Sequence, residues 1–151
     1  MTAAVAFLSL LVTSCSQSTG KIDEIFPRGK QASAENFTGA VWSQPVVSTD
    51  SVFNYSSSSV VFSPGARTHY HRHDEGQILI CLSGRGWYQA EGEEPVEMHP
   101  GDVVKIPPHV KHWHGAAKDS EFNHLTMLPH QKNGTTEWLE EVDETYYQTL
   151  K

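Results

Sequence analysis

From Ala40 onward the chain is cut into short apolar runs by glycine, proline and acidic turns, and this spacing leaves little room for anything but an all-β fold. The runs are 41–47, 58–63, 77–82, 86–90, 96–99, 103–106, 112–116 and 123–128. The punctuation between them is explicit: Ser63-Pro64-Gly65, Ser83-Gly84-Arg85-Gly86, His99-Pro100-Gly101 and Pro107-Pro108. Eight short strands so closely spaced predict a sandwich or a barrel. Only the tail 140–150 has helical spacing, with Val142, Tyr146 and Leu150 recurring every four residues, which predicts a short helix packed on the barrel. Ile22, Ile25 and Phe26 are apolar in a polar lead-in and are read as a candidate edge strand.

The 151 residues suit one domain with a proper core. The first fourteen are of another kind. Residues 2–14 carry no charge, and the apolar stretch 3–12 is half the roughly 20 residues a membrane-spanning helix needs. It fits the core of a secretory signal, although no Lys or Arg precedes it; the alternative is a buried hydrophobic helix. Val12-Thr13-Ser14-Cys15 resembles a bacterial lipobox. That implies a signal peptide at 1–14, a lipid anchor at Cys15 on the cell envelope, a flexible tether at 15–20 and one folded domain at 21–151. A lipidated Cys15 has no thiol to offer Cys81, which sits in the apolar run 77–82 and reads as an inert core residue. The net charge of −7 and the lack of a basic stripe argue against nucleic acid as a partner.

Nine histidines are the compositional oddity, and their placement matters. His69, His71 and His73 stand at i, i+2 and i+4, which in a strand share one face. Two imidazoles one strand-step apart can reach one ion. Gln77 follows four residues after His73, and His112 opens a distant strand after Pro107-Pro108. The bland alternative is a row of surface histidines.

Two longer patterns favour the metal. Gly65-x5-His71-x-His73-x3-Gln77-x6-Gly84 resembles the first cupin motif, with Gln in place of the usual Glu. Gly101-x5-Pro107-x-His109-x2-His112-x3-Ala116 resembles the second, with His109 and Ala116 replacing its Gly and Asn. The resemblance covers about residues 63–116 and implies a double-stranded β-helix, the jelly-roll cupin barrel, around one divalent metal ion. Residues 64–68, 76–77, 99–104, 111–116 and 123–125 are further similar to the small bacterial cupins with hydroxynitrile lyase activity, which use manganese. That similarity implies His71, His73, Gln77 and His112 as metal ligands, with His124 as the acid/base group. Iron, zinc, nickel and cobalt remain open, because affinity order alone does not select manganese. His69 and Tyr70 depart from that group, where small or apolar residues are usual.

Three neutral imidazoles and an amide leave the full +2 on the ion, which raises its Lewis acidity and favours a lower oxidation state. His114 shares parity with His112; it either faces the cavity, to bind substrate or support a ligand, or is a satisfied core histidine. His69 is a rim residue or a further acid/base group. Trp113, Trp87 and Tyr88 read as packing, Arg67 as a surface or salt-bridge residue, and His99, His109 and His130 as solvent-facing turns. The expected partner is a small-molecule substrate, with homo-oligomerisation open. The leading functional reading is a metal-dependent lyase or isomerase acting on a small carbonyl or hydroxy compound. An iron dioxygenase and a metal-bearing binding lipoprotein for a sugar acid or similar anion are the alternatives.

Overall fold

The computed structural model describes residues 25–130 and 136–151. The expectations for the signal, the tether, Cys15 and Ile22 lie outside them. All eight sequence-derived segments fall on strands, joined by five short pieces that alternation could not register. In chain order the strands are β1 (Lys30–Gln31), β2 (Phe37–Thr38), β3 (Val41–Val47), β4 (Tyr55–Phe62), β5 (Arg67–Thr68), β6 (His71–Arg72), β7 (Gln77–Gly84), β8 (Gly86–Ala90), β9 (Val96–Met98), β10 (Val103–Ile106), β11 (His112–Ala116), β12 (Phe122–Pro129) and β13 (Glu137–Trp138). Ile25 and Phe26 are not in a strand; the edge piece falls five residues later, at β1.

The strands form two facing walls. One is a six-stranded sheet ordered β1-β3-β4-β12-β7-β10; the other is a seven-stranded sheet with β13-β6-β11-β5-β2 along one path and β8 and β9 attached to β11. Between them lies an apolar core that includes Phe62, Leu79, Cys81, Met98, Ile106 and Phe122. Cys81 is a free thiol there, as expected, and burial pushes its pKa up to about 11. Two glycines show how tightly the walls are joined. Gly76 adopts φ of +80° before β7, and a Cβ there would stand 2.5 Å from the Ile106 carbonyl oxygen. Gly115 lets β11 approach β5, since its Cβ would meet the Arg67 Cβ at 2.4 Å. His109 holds φ of +63°, which explains why the resembling motif has Gly at that position.

A second core lies on the outside of the seven-stranded wall. Val142, Tyr147 and Leu150 of the C-terminal tail cover Trp113, with Trp87 and Tyr70 alongside. The tail's helix is one turn, α1 (Glu144–Tyr147), opened by the Asp143 side chain accepting from the Tyr146 N–H. Val142 and Leu150 are buried as expected, but the residue between them is Tyr147 rather than Tyr146, because the helix is too short to keep one stripe. The Tyr147 hydroxyl donates to the Ala116 carbonyl at 2.6 Å. Arg67 is not a surface residue: it is 3% exposed, and its guanidinium lies 4.2 Å over the Tyr147 ring while donating to Glu144 at 2.6 Å and to the Val142 carbonyl at 3.3 Å.

Candidate metal centre

His71 on β6 and His112 on β11 are direct cross-strand partners, with ring centroids 4.2 Å apart. His73 follows His71 on the same face, and its ring lies 5.1 Å away. The nitrogens these three offer an ion all lie within 4.8 Å of one another, and all three rings are buried. His69 does not join them. The strand is interrupted at His69–Tyr70, because the Tyr70 N–H donates to Glu140 and its carbonyl accepts from Leu139 instead of continuing the ladder to β11. The parity of 69, 71 and 73 is therefore lost, and the His69 ring faces Glu141 at 3.8 Å.

Backbone carbonyls fix two of the rings. His71 Nδ1 lies 3.0 Å from the His69 oxygen and His112 Nδ1 lies 2.9 Å from the Val110 oxygen. A carbonyl only accepts, so each Nδ1 carries the hydrogen and each Nε2 presents a lone pair. His73 Nε2 is buried without a partner. Gln77, at the start of β7, reaches in from the other wall. Its amide N–H donates to Thr126 Oγ1 at 2.8 Å, which turns its Oε1 towards His112 Nε2 at 3.0 Å. Two acceptors so placed repel unless a cation lies beside both. Protons do not supply it: burial pushes His73 and His112 down to about 4, and His71 goes well below its ordinary value through burial and the neighbouring His112. Three neutral imidazoles, one of them with an unpartnered Nε2, and an inward amide oxygen suit a divalent ion.

His114 and His124 lie beside this cluster. His114 Nδ1 and His124 Nε2 are 3.2 Å apart across the two walls, and the ring nitrogen remaining on each is buried without a partner. Burial pushes His124 down to about 3 and His114 well below its usual range, so both are neutral at pH 7. All six residues except His112 line a cavity of about 120 Å³, where Thr68 and Thr126 add hydroxyls. Its apolar side was not anticipated: Trp138 lies 4.8 Å from the His71 ring and meets Phe37 edge-on at 5.4 Å, Phe37 contacts Phe62, and Phe62 lies 5.5 Å from the His124 ring. His99 and His109 are solvent-exposed, as is His130, and none of them lines the cavity.

Residues 58–128 match the model of the cupin domain. Over 128 residues the chain is 41% identical to an (R)-mandelonitrile lyase from Granulicella tundricola, spanning 82% of this chain and 98% of that protein. The chain belongs to the cupin family. A solved cupin-like protein from Thermotoga maritima is 48% identical, with a TM-score of 0.80 over 84% of this cupin and 96% of that chain. A shorter stretch of 57 residues is 32% identical to an acireductone dioxygenase from Bacillus pumilus, covering 35% of this cupin and 31% of that protein.

Proposed function

We propose that this cupin is a metal-dependent lyase that cleaves a neutral α-hydroxynitrile to an aldehyde or ketone and hydrogen cyanide. The observation that carries the reading is the cavity's composition. A proton-accepting histidine pair lies beside a site built for a divalent ion, and among the described residues no Lys, Arg, Asp or Glu lines the space. With the ion as the site's single charge, the lining gives the rest of a substrate no counter-charge, and the aromatic side from Trp138 to Phe62 offers an apolar group a wall to lie on. The full-length likeness to a mandelonitrile lyase supports the same class.

His71, His73, Gln77 and His112 would hold the ion, which when bound supplies Lewis acidity at the substrate oxygen. His124 takes the proton from the substrate hydroxyl. The O–H electron pair becomes the carbonyl π bond, the C–CN bond breaks, and cyanide leaves with the electron pair of that C–CN bond. His124 then returns its proton to cyanide. A base held near 3 is weak in the resting pocket; the charge developing on the adjacent oxygen, and a hydrogen bond to His114 Nδ1, favour its protonated form as the reaction proceeds. Thr68 provides a hydroxyl for orientation, and Thr126 holds the Gln77 amide in place.

The test is cleavage of aryl and alkyl cyanohydrins by metal-loaded protein under strict anaerobiosis. Cyanide release without oxygen is the expected result. Turnover that requires O₂ in proportion to product would instead establish the dioxygenase alternative.

A further inference from the structure

Trp138 is a large aromatic side chain that belongs to neither core cluster, and it is only partly buried. It lines the cavity instead. The chain around it holds it there. β13 pairs with β6 so that Trp138 stands opposite His71. Just beyond it, the Leu139 N–H donates to the Tyr70 carbonyl at 2.8 Å, and the Tyr70 N–H donates to the Glu140 carbonyl at 2.9 Å. The Glu140 carboxylate accepts from the Lys111 ammonium, which also donates to Glu91 at 2.7 Å. An indole fixed in this way keeps its pose before anything binds, so a group that lies against it requires little ordering of the protein. Contacts between rings then run from His71 to His124: His71 to Trp138 at 4.8 Å, Trp138 to Phe37 at 5.4 Å, Phe37 to Phe62 at 6.4 Å and Phe62 to His124 at 5.5 Å. On the facing wall Val60 of β4 and Leu128 of β12 line the same space. Phe62 is fully buried and Phe37 packs against the same apolar core, so packing constrains both. Trp138 is free of that constraint, and its identity answers to what enters the cavity.

We propose that Trp138 is the specificity-determining residue of this site, and that it favours a flat aryl substituent on the substrate carbon over a small alkyl one. The proposal rests on the lyase reading above for its substrates. A substrate oxygen placed beside both the ion and His124 brings the substituent of its carbon against the arc of rings that Trp138 begins. A flat ring gains from offset or edge-on contact with such rings beyond the area it buries, and a methyl group has no such contact to make. The ion and the histidine pair act on the hydroxyl and the proton, which aryl and alkyl cyanohydrins share. Discrimination between them is therefore left to the lining. Substrate choice then resides on the C-terminal segment, apart from the strands that carry His71, His73, Gln77, His112 and His124.

The experiment uses two matched pairs of probes on the native chain, Trp138→Phe and Trp138→Leu. Lactonitrile and mandelonitrile differ by methyl against phenyl and are compared by kcat/KM for cleavage. Acetohydroxamate and benzohydroxamate carry the same two groups on a metal-binding head, and calorimetry on zinc-loaded protein compares their Kd without turnover. The native chain should favour phenyl in both pairs by roughly tenfold or more. Trp138→Phe should keep most of that preference and Trp138→Leu should lose it, with metal content unchanged in both. A native chain that binds the two hydroxamates equally overturns the proposal. So does a Trp138→Leu variant that keeps the native preference. If neither nitrile is cleaved, the lyase reading fails, and the hydroxamate pair still decides what Trp138 selects. If Trp138→Leu does not retain its ion, nuclear Overhauser contacts between the phenyl protons and the Trp138 indole in the native benzohydroxamate complex decide, and their absence overturns the proposal.

Discussion

His71, His73 and His112 come from the seven-stranded wall, whereas Gln77, Thr126 and His124 come from the six-stranded one. In the first group the rings of His71 and His112 are each pinned by a backbone carbonyl, which only accepts and so leaves one tautomer, while His73 Nδ1 lies 3.4 Å from the Thr136 hydroxyl. The second meets the cavity through partners that can both donate and accept. His124 faces another histidine, and Thr126 a side-chain amide. A fixed tautomer suits a ligand, which must always present a lone pair. An exchangeable one suits a group that moves a proton, because the hydrogen between His114 and His124 can belong to either. The comparison assigns the three imidazole ligands to one wall, and to the other the amide ligand Gln77 and the proton-moving His124, whose partner His114 reaches it from the first.

The largest effect should come from the first wall. His112→Ala removes both a lone pair and the neighbour of His71, and metal content measured by elemental analysis should fall from stoichiometric to background. A variant that keeps its full metal would break the division outright. On the second wall, His124→Ala should leave metal content unchanged and lower turnover by roughly 10²–10⁴-fold, the usual size of a general acid–base contribution. Loss of metal in that variant would show that the two walls are not separable.

Acid should expose what the two groups share. His73, His112 and His124 have folded-state pKa values of about 4, 4 and 3, against 6.5 in an unfolded chain. Between those values the unfolded chain binds more protons, so stability rises with pH. The contribution is complete above about 6.5 and is lost as pH falls through 4 to 3. The melting temperature of metal-free protein should therefore drop steadily across this window. A flat profile from 6.5 to 4 would mean that the rings are already solvated in the metal-free state.

How much of this could be read from the chain depended on distance along it. The eight strands were legible because Gly and Pro mark their ends and alternation marks their faces. The spacing of His71, His73 and Gln77 was legible because it spans seven residues. His69 was misread because the strand break at Tyr70 is made by Leu139 and Glu140, some 70 residues on. Arg67 does form a salt bridge, as one of its two readings had it, but its burial was not legible for the same reason, since its partners are Val142, Glu144 and Tyr147. Trp138 gave no signal at all: its strand is two residues long, and only pairing with His71 brings it to the cavity.

The smallest expected effect sits where the walls meet, at Gln77. Its amide N–H donates to Thr126 and its oxygen faces His112. Gln77→Glu keeps the shape but loses the donor. The Thr126 hydroxyl can reverse and donate to the carboxylate, so the fold should tolerate the change. The new charge lowers the net charge of a divalent site from +2 to +1. Attraction for the ion rises, and its pull on a substrate oxygen falls. Metal affinity measured by chelator competition should increase, while turnover per bound metal should fall by roughly tenfold, the scale seen when groups around a metal are altered. Thr126→Val separates the two roles of the amide. It removes the tie without adding charge, so it should weaken metal retention and leave turnover per bound metal close to wild type. If Gln77→Glu binds metal more weakly, the residue serves to orient rather than to set charge, and Gln77 then belongs with the fixed ligands of the opposite wall.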